Sequence, residues 1–355
     1  MRVVQYAEGV LTHKDAQSTR GTTLDELAPQ EEHALLDVQV AAALAAAPDP
    51  LLEQAELYLE AAKAPSTLRA YRSDWEHFLG WCEHRGVAAL PAEPGTVALY
   101  LVALAASHKP ATITRRLTSI TKAHAIAGHP TPAKMEHAIV AETLQGIRRE
   151  LGTRQTGKTA LVTADLIQVL AHLDEGLGGV RDRALLLVGY SGAFRRSELA
   201  TFQFEDLAWV DEGAVLTLRR SKTDQAGQGR AVAIPRGSHA QTCPVTALGT
   251  WIREAAITGG PLFRPVSRSG HIRNTTLHPD SVGAIVKRVV ARAGFDPSAF
   301  AGHSLRAGFA TQAARNGATA FDIMRQTGHR SVNTVSRYIR EAQLFRDSPA
   351  GKLGL

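Results

Sequence analysis

A chain of 355 residues, 44% of them hydrophobic, has room for two ordinary domains, each with its own core. Its longest apolar runs, Val97 to Ala106 and Ala184 to Gly189, are far too short to span a bilayer, and the N-terminus has no charged-then-apolar leader pattern. The sequence therefore reads as a soluble, cytoplasmic protein with no membrane partner. Two distant cysteines, Cys82 and Cys243, exclude a disulfide framework and a zinc knuckle, and the net charge of +6 is unevenly spread. Residues 1–50 hold three Lys/Arg and eight Asp/Glu, which puts that segment at −5 and residues 51–355 at +11. A surplus of that size favours a polyanionic partner, nucleic acid above all.

Residues 1–50 read as an acidic tail, partly helical from about Glu31 to Ala47, where alanines suit a helix but offer few large side chains to a core. Helical periodicity dominates residues 51–152. Pro65-Ser66 offers an N-cap, and Leu68, Tyr71, Trp75, Phe78, Leu79 and Cys82 then recur at helical spacing until Gly86. Pro94-Gly95 opens a second helix carrying Val97, Leu101, Val102 and Leu104. Pro110 precedes a third, with Thr112 as its cap, Ile113, Leu117, Ile120, Ala123 and His124 inward, and Arg115, Arg116 and Lys122 outward. Lys134 to Glu150 makes a fourth. Basic outer faces on such a bundle suit a duplex, and equally describe solvated charge.

Gly152 to Ala160 is polar, basic and free of large apolar groups, so residues 153–160 read as a linker between domains at 51–152 and 161–355. Gln155 to Thr159 lacks the preceding hydrophobic strand that a phosphate-binding loop requires. Beyond it, Thr163 caps a helix with Leu166, Val169, Leu170 and Leu173 on one face, and Arg183 to Tyr190 is a nearly all-apolar helix for the centre of the domain. Ala214 to Leu218 and Arg230 to Ile234 alternate as strands, joined by a long polar loop holding Lys222. Ser281 to Ala293 returns to helix, with valines inward and Lys287, Arg288 and Arg292 outward.

The densest chemistry lies between His303 and Tyr338. An i, i+3 pair on a helix shares one face, so His303 and Arg306 can present an imidazole and a guanidinium to one target. Arg is planar and permanently charged, with a fork of donors that matches a phosphate. His329 follows a short helical segment, and Tyr338 comes nine residues later on another helix.

Upstream stand Ala193-Phe194-Arg195-Arg196-Ser197-Glu198-Leu199 and Arg220-Ser221-Lys222-Thr223-Asp224; downstream come Gly302-His303-Ser304-Leu305-Arg306, Thr327-Gly328-His329 and Arg337-Tyr338-Ile339-Arg340. In that order, over roughly residues 55–345, the chain resembles the tyrosine recombinase (phage integrase) family. The resemblance implies a mainly α protein: an N-terminal helical core-binding (SAM-like) domain, then an α+β catalytic domain with a small antiparallel sheet. It implies that Tyr338 attacks a DNA phosphodiester to give a 3′-phosphotyrosyl link, with His303 as base. Arg195 and Arg306 would clamp the nonbridging oxygens, Lys222 would protonate the 5′-oxygen, His329 would hydrogen-bond the phosphate, and Glu198 would orient its neighbours. Arg196 stands where the family usually has an apolar residue, and the spacing to Ser197-Glu198-Leu199 favours Arg195 as the clamp.

A covalent intermediate conserves the bond energy, so no metal, ATP or other cofactor is implied. Family analogy adds double-stranded DNA with inverted-repeat recombination sites, a homotetramer on two sites, and domains closing on the duplex like a clamp. Arg115, Arg116, Lys122, Lys287 and Arg288 are the implied DNA contacts. A type IB topoisomerase or telomere resolvase would share the chemistry, and a DNA-binding protein with a dead site would lack part of the catalytic set.

Overall fold

The computed structural model describes residues 64–133, 138–153, 157–219, 229–343 and Leu353. The acidic tail with its expected helix, Lys222, and the segment holding Leu344 and Phe345 lie outside the described residues. The chain divides into two compact units between Gln155 and Thr156.

The described part of the first unit contains four helices: α1 (Pro65–Arg85), α2 (Pro94–Ala105), α3 (Pro110–Ile126) and α4 (Ala138–Leu151). The first three open with proline at the first helical position, where the missing N–H costs nothing because it has no intrahelical acceptor. Proline therefore does the work expected of Ser66 and Thr112, and neither residue caps its helix. Gly86 ends α1 in the left-handed conformation at φ 65°. Trp75, Phe78, Cys82, Val97, Tyr100, Leu101, Ile113, Ile120, Val140 and Ile147 form the core, while Leu68 and Val102 face outward. Burial raises the Cys82 thiol to about 11, as befits an inert core residue.

The outer face of α3 is less free than its sequence implies. Asp74, 4% exposed on α1, accepts from Arg115 Nη1 at 2.5 Å and Ser119 Oγ at 3.0 Å. Arg116 turns inward: its Nη1 donates to the Tyr100 hydroxyl at 3.0 Å and its Nε lies 3.7 Å from Asp74. The reason is the buried carboxylate, because a charged group withdrawn from water draws in donors and positive charge as partners. Lys122 alone of the three stands exposed on the helix without such a bond. Asp74→Ala removes the acceptor of Arg115 Nη1 and Ser119 Oγ and the counter-charge beside the inward-turned Arg116. It should lower stability by about 1–3 kcal/mol in denaturant unfolding, whereas Lys122→Ala should leave it unchanged.

The second unit is built on α6 (Leu177–Ser191), whose residues from Ala184 to Gly189 are buried. Around it lie α5 (Thr163–Ala171), α7 (Arg196–Thr201), α8 (Pro244–Glu254), α9 (Pro279–Arg292) and α10 (His303–Arg315). Val282, Ile285, Val286, Val289 and Val290 face the core from α9. The Thr163 hydroxyl bonds Tyr190 at 2.8 Å and caps nothing. The sheet is antiparallel, ordered β1 (Leu207–Val210), β2 (Gly213–Leu218), β3 (Arg230–Pro235), and the expected hairpin begins at the pair Leu218 and Arg230. Two last helices, α11 (Ala320–Thr327) and α12 (Val332–Ala342), pack on α10 through Ala307, Ala310, Ala314, Ile323, Val335 and Tyr338. Among the described residues no helix is long and apolar enough to cross a membrane.

Candidate active site

Two short structural devices hold the arginines. After α6 the chain turns through Gly192 and Ala193, and Ala193 takes φ 50°, a left-handed conformation that costs a non-glycine residue free energy. Gly192 has no substitute, because a Cβ there would lie 2.1 Å from the Phe194 ring. The turn aims the Ala193 carbonyl at Arg306, whose Nη1 donates to it at 2.7 Å. Next, Arg195 forms the N-cap of α7 and Glu198 folds back on it. Glu198 Oε2 accepts from the Arg195 backbone N–H at 2.9 Å and Oε1 accepts from Arg195 Nη1 at 2.5 Å. Glu198 is 4% exposed, so one buried carboxylate fixes both the main chain and the guanidinium of Arg195. Arg196 points elsewhere, to Asp280 at 2.7 Å on the exposed start of α9.

Arg306 is 1% exposed, and its Nη2 has no hydrogen-bond partner among the described residues. Burial first, and then Arg195 nearby, lower its pKa to about 10, which still leaves it charged at neutral pH.

Tyr338 reaches the same place by helix geometry. Val335, Tyr338, Ile339 and Ala342 recur at i, i+3, i+4 and i+7, and this stripe docks α12 on the small residues of α10. The phenol is 7% exposed and its oxygen lies 3.0 Å from His303 Nε2. His303 is open to solvent on one side, yet desolvation on its packed side, followed by Arg306, Arg195 and Arg337, holds its pKa below the usual imidazole value. A neutral imidazole with its proton on Nδ1 accepts the phenol proton at Nε2, so the pair is poised for base-assisted attack.

His329 follows Gly328, which ends α11 at φ 67°. The Thr327 hydroxyl spends its proton on the Ile323 carbonyl at 2.6 Å, so at 2.7 Å it accepts from His329 Nδ1–H. Burial first, and then the charges of Arg306, Arg195 and Arg230, push His329 down to about 3. The imidazole is neutral with Nε2 unprotonated, and its ring centre lies 6.4 Å from that of Tyr338.

The structure thus brings together Arg195, Glu198, His303, Arg306, His329 and Tyr338. Lys222 lies outside the described residues. Of the basic residues expected on DNA in this unit, Lys287 is exposed, but Arg288 is paired with Asp182, a buried carboxylate also held by Arg181. Two contributors were not legible as such: the Ala193 carbonyl, and Arg230 at the start of β3. A cavity of about 620 Å³ between α5, α6 and α8, lined by Leu170, Arg183 and Thr246, contains none of the site residues.

Residues 160–344 match the family model described as Phage integrase family, and residues 53–129 match Phage integrase, N-terminal SAM-like domain. The chain belongs to the phage integrase family. One relative, an integrase/recombinase xerD homolog of Selenomonas ruminantium, is 44% identical over 305 residues, covering 84% of this chain and 89% of the relative. The recombinase cre of Escherichia phage P1 is 28% identical, covering 73% and 79%. Among integrase structures, the Tn1549 transposon integrase with transposon right end DNA matches at TM-score 0.57 and 14% identity, covering 82% of this chain and 97% of that one. A lambda integrase dimer bound to a COC′ core site matches at 0.54 and 18%, covering 81% and 93%. These two share the fold.

His329 supplies a test of the pocket that needs no substrate. Its folded value, about 3, lies below the unfolded value of about 6.5, so below pH 6.5 the unfolded chain takes a proton that the folded chain refuses. Stability should therefore be unaffected above that pH and should fall between about 6.5 and 3 by up to about 1.4 kcal/mol per pH unit. Denaturant unfolding of His329→Gln should show a correspondingly shallower acid decline than the parent chain.

Proposed function

We propose that this protein is a site-specific DNA recombinase that cuts and rejoins strands through a 3′-phosphotyrosyl intermediate. The observation that carries the reading is the Tyr338 oxygen, 3.0 Å from a neutral His303, sharing its pocket with the guanidiniums of Arg195 and Arg306. Tyr338 Oη forms a bond to phosphorus, the bond from phosphorus to the 5′-oxygen breaks, and the phenol proton passes to His303 Nε2. Lys222 gives the departing 5′-oxygen its proton. Arg195 and Arg306 hold the nonbridging oxygens, where charge grows in the pentacoordinate transition state, and removal of either should slow cleavage roughly 10²–10³-fold. For His329 to donate to the phosphate, Nε2 must take up a proton as the anion enters. The anion's charge offsets the guanidiniums that keep the imidazole neutral. Rejoining to a different 5′-hydroxyl completes strand exchange with no cofactor.

The substrate in this reading is double-stranded DNA with inverted-repeat sites, bound by a homotetramer on two sites in the cytoplasm. Residues 51–152 serve as the core-binding domain, 153–160 as the linker and 161–355 as the catalytic domain, with 1–50 a separate acidic tail. Lys122 and Lys287, exposed on α3 and α9, are the better DNA contacts, since Arg115, Arg116 and Arg288 hold buried acceptors. The relatives named as recombinases support strand exchange over simple relaxation.

On a nicked duplex carrying the site, Tyr338→Phe should bind DNA as the parent does and form no SDS-resistant adduct. An adduct from that variant removes Tyr338 as the nucleophile. Lys222→Ala should fail on ordinary DNA and recover when the 5′-leaving group is activated, and full activity on ordinary DNA would take the acid role from Lys222.

A further inference from the structure

Arg230 opens β3 and sits against the end of α11. Its Nη1 donates to the carbonyls of Gln326 at 2.9 Å and Arg325 at 3.3 Å, the unpaired acceptors of the last helical turn. Its Nε and Cζ lie so close to Gly328 that a Cβ there would stand 2.9 and 3.0 Å away. Arg230 Nη2 is buried with no hydrogen-bond partner among the described residues, as is Arg306 Nη2. Arg230 lowers the proton affinity of Arg306, and Arg195 lowers that of both. Arg230 also lies against Gly328, the neighbour of His329, so the three guanidiniums face one pocket.

Among the described residues Glu198 is the carboxylate that raises the proton affinity of Arg230 and Arg306, so these three guanidiniums outnumber it by two beside neutral His303 and His329. An unsatisfied buried donor is unfavourable by about 1–3 kcal/mol, more when charged, and two in one pocket call for a single anion.

We propose that Arg230 is a third guanidinium for the scissile phosphate, its Nη1 fixed on α11 and its Nη2 kept for a nonbridging oxygen. The inference rests on the strand-cleavage reading above. Lysine cannot make the same arrangement, because only a planar fork can hold two helix carbonyls with one nitrogen and offer another to an oxyanion. A single negative charge enters with the phosphodiester, and more develops as Tyr338 attacks, so the charge excess is met most fully in the transition state.

The test measures adduct formation on two nicked substrates, one with a normal scissile phosphodiester and one with a neutral methylphosphonate, in which methyl replaces the charged oxygen. Arg230→Gln should slow cleavage of the phosphodiester about 10²–10³-fold and that of the methylphosphonate only several-fold. Arg230→Lys, which keeps charge and a helix-capping donor, should show a smaller deficit of the same pattern and covers the case in which the glutamine variant does not fold. Gln326→Ala removes the neighbouring tie from its Nε2 to the Ser191 and Ala233 carbonyls without touching charge, and should affect both substrates equally. Equal deficits for Arg230→Gln on both substrates, parental rates, or a methylphosphonate rescue of Gln326→Ala would each overturn the proposal. A parent chain that forms no adduct with the phosphodiester sinks the cleavage reading itself, and this inference with it.

Discussion

A guanidinium buried to 1% exposure with one nitrogen unbonded is the constraint on which the catalytic unit turns. Charge without a counter-charge is several kcal/mol unfavourable in a protein interior. Arg306 is compensated only in part, by the strained Ala193 carbonyl and by Glu198 nearby, and Arg195 shares that same carboxylate. A fold that maximised its own stability would place a leucine there. The arrangement makes sense when an anion completes it, because the field that is unfavourable in the free chain is already oriented when a phosphate arrives.

The same excess charge decides the protonation of everything around it. His303 and His329 stay neutral through burial and through the arginines, which is what a base needs and what a resting cationic pocket enforces. Tyr338 enters this field on the apolar stripe of α12. The residues that dock the helix also place the Tyr338 phenol, so its position follows from a packing surface of Ala307, Ala310 and Ala314 small enough to let α12 approach. The geometry of the site is set by helix periodicity and one turn, with the sheet supplying Arg230 from the start of β3.

Much of this was legible in the residues. Prolines, glycines and 3.6-residue spacing marked most helices, and the Arg, His-x-x-Arg, His and Tyr elements announced the site, because their identity is fixed by chemistry and their local spacing by helix geometry. Side-chain direction over long range was not legible. Arg116 looked outward from α3 until Asp74, 42 positions earlier, drew it inward, and Arg288 was likewise drawn to Asp182. The strand β1 is four residues long with an exposed Trp209, too short for alternation to register. Helix α8 begins at a proline after Cys243, whose sulfur accepts from Thr246 N–H in place of the usual hydroxyl or carboxylate cap. Arg230 is one arginine among many in sequence, and only the end of α11, about 95 residues away, gives it meaning.

The central claim is that a phosphate held by Arg306 and Arg195 is attacked by the phenol beside His303. It is tested most directly by trapping the covalent complex on a nicked site, digesting it with trypsin and locating the nucleotide by mass spectrometry. The account predicts a 3′-phosphate on the peptide Tyr338-Ile339-Arg340, with a free 5′-hydroxyl on the released strand. Attachment at another residue, such as the partly buried Tyr190 that bonds Thr163, or strand cleavage with no protein-bound phosphate, would contradict it.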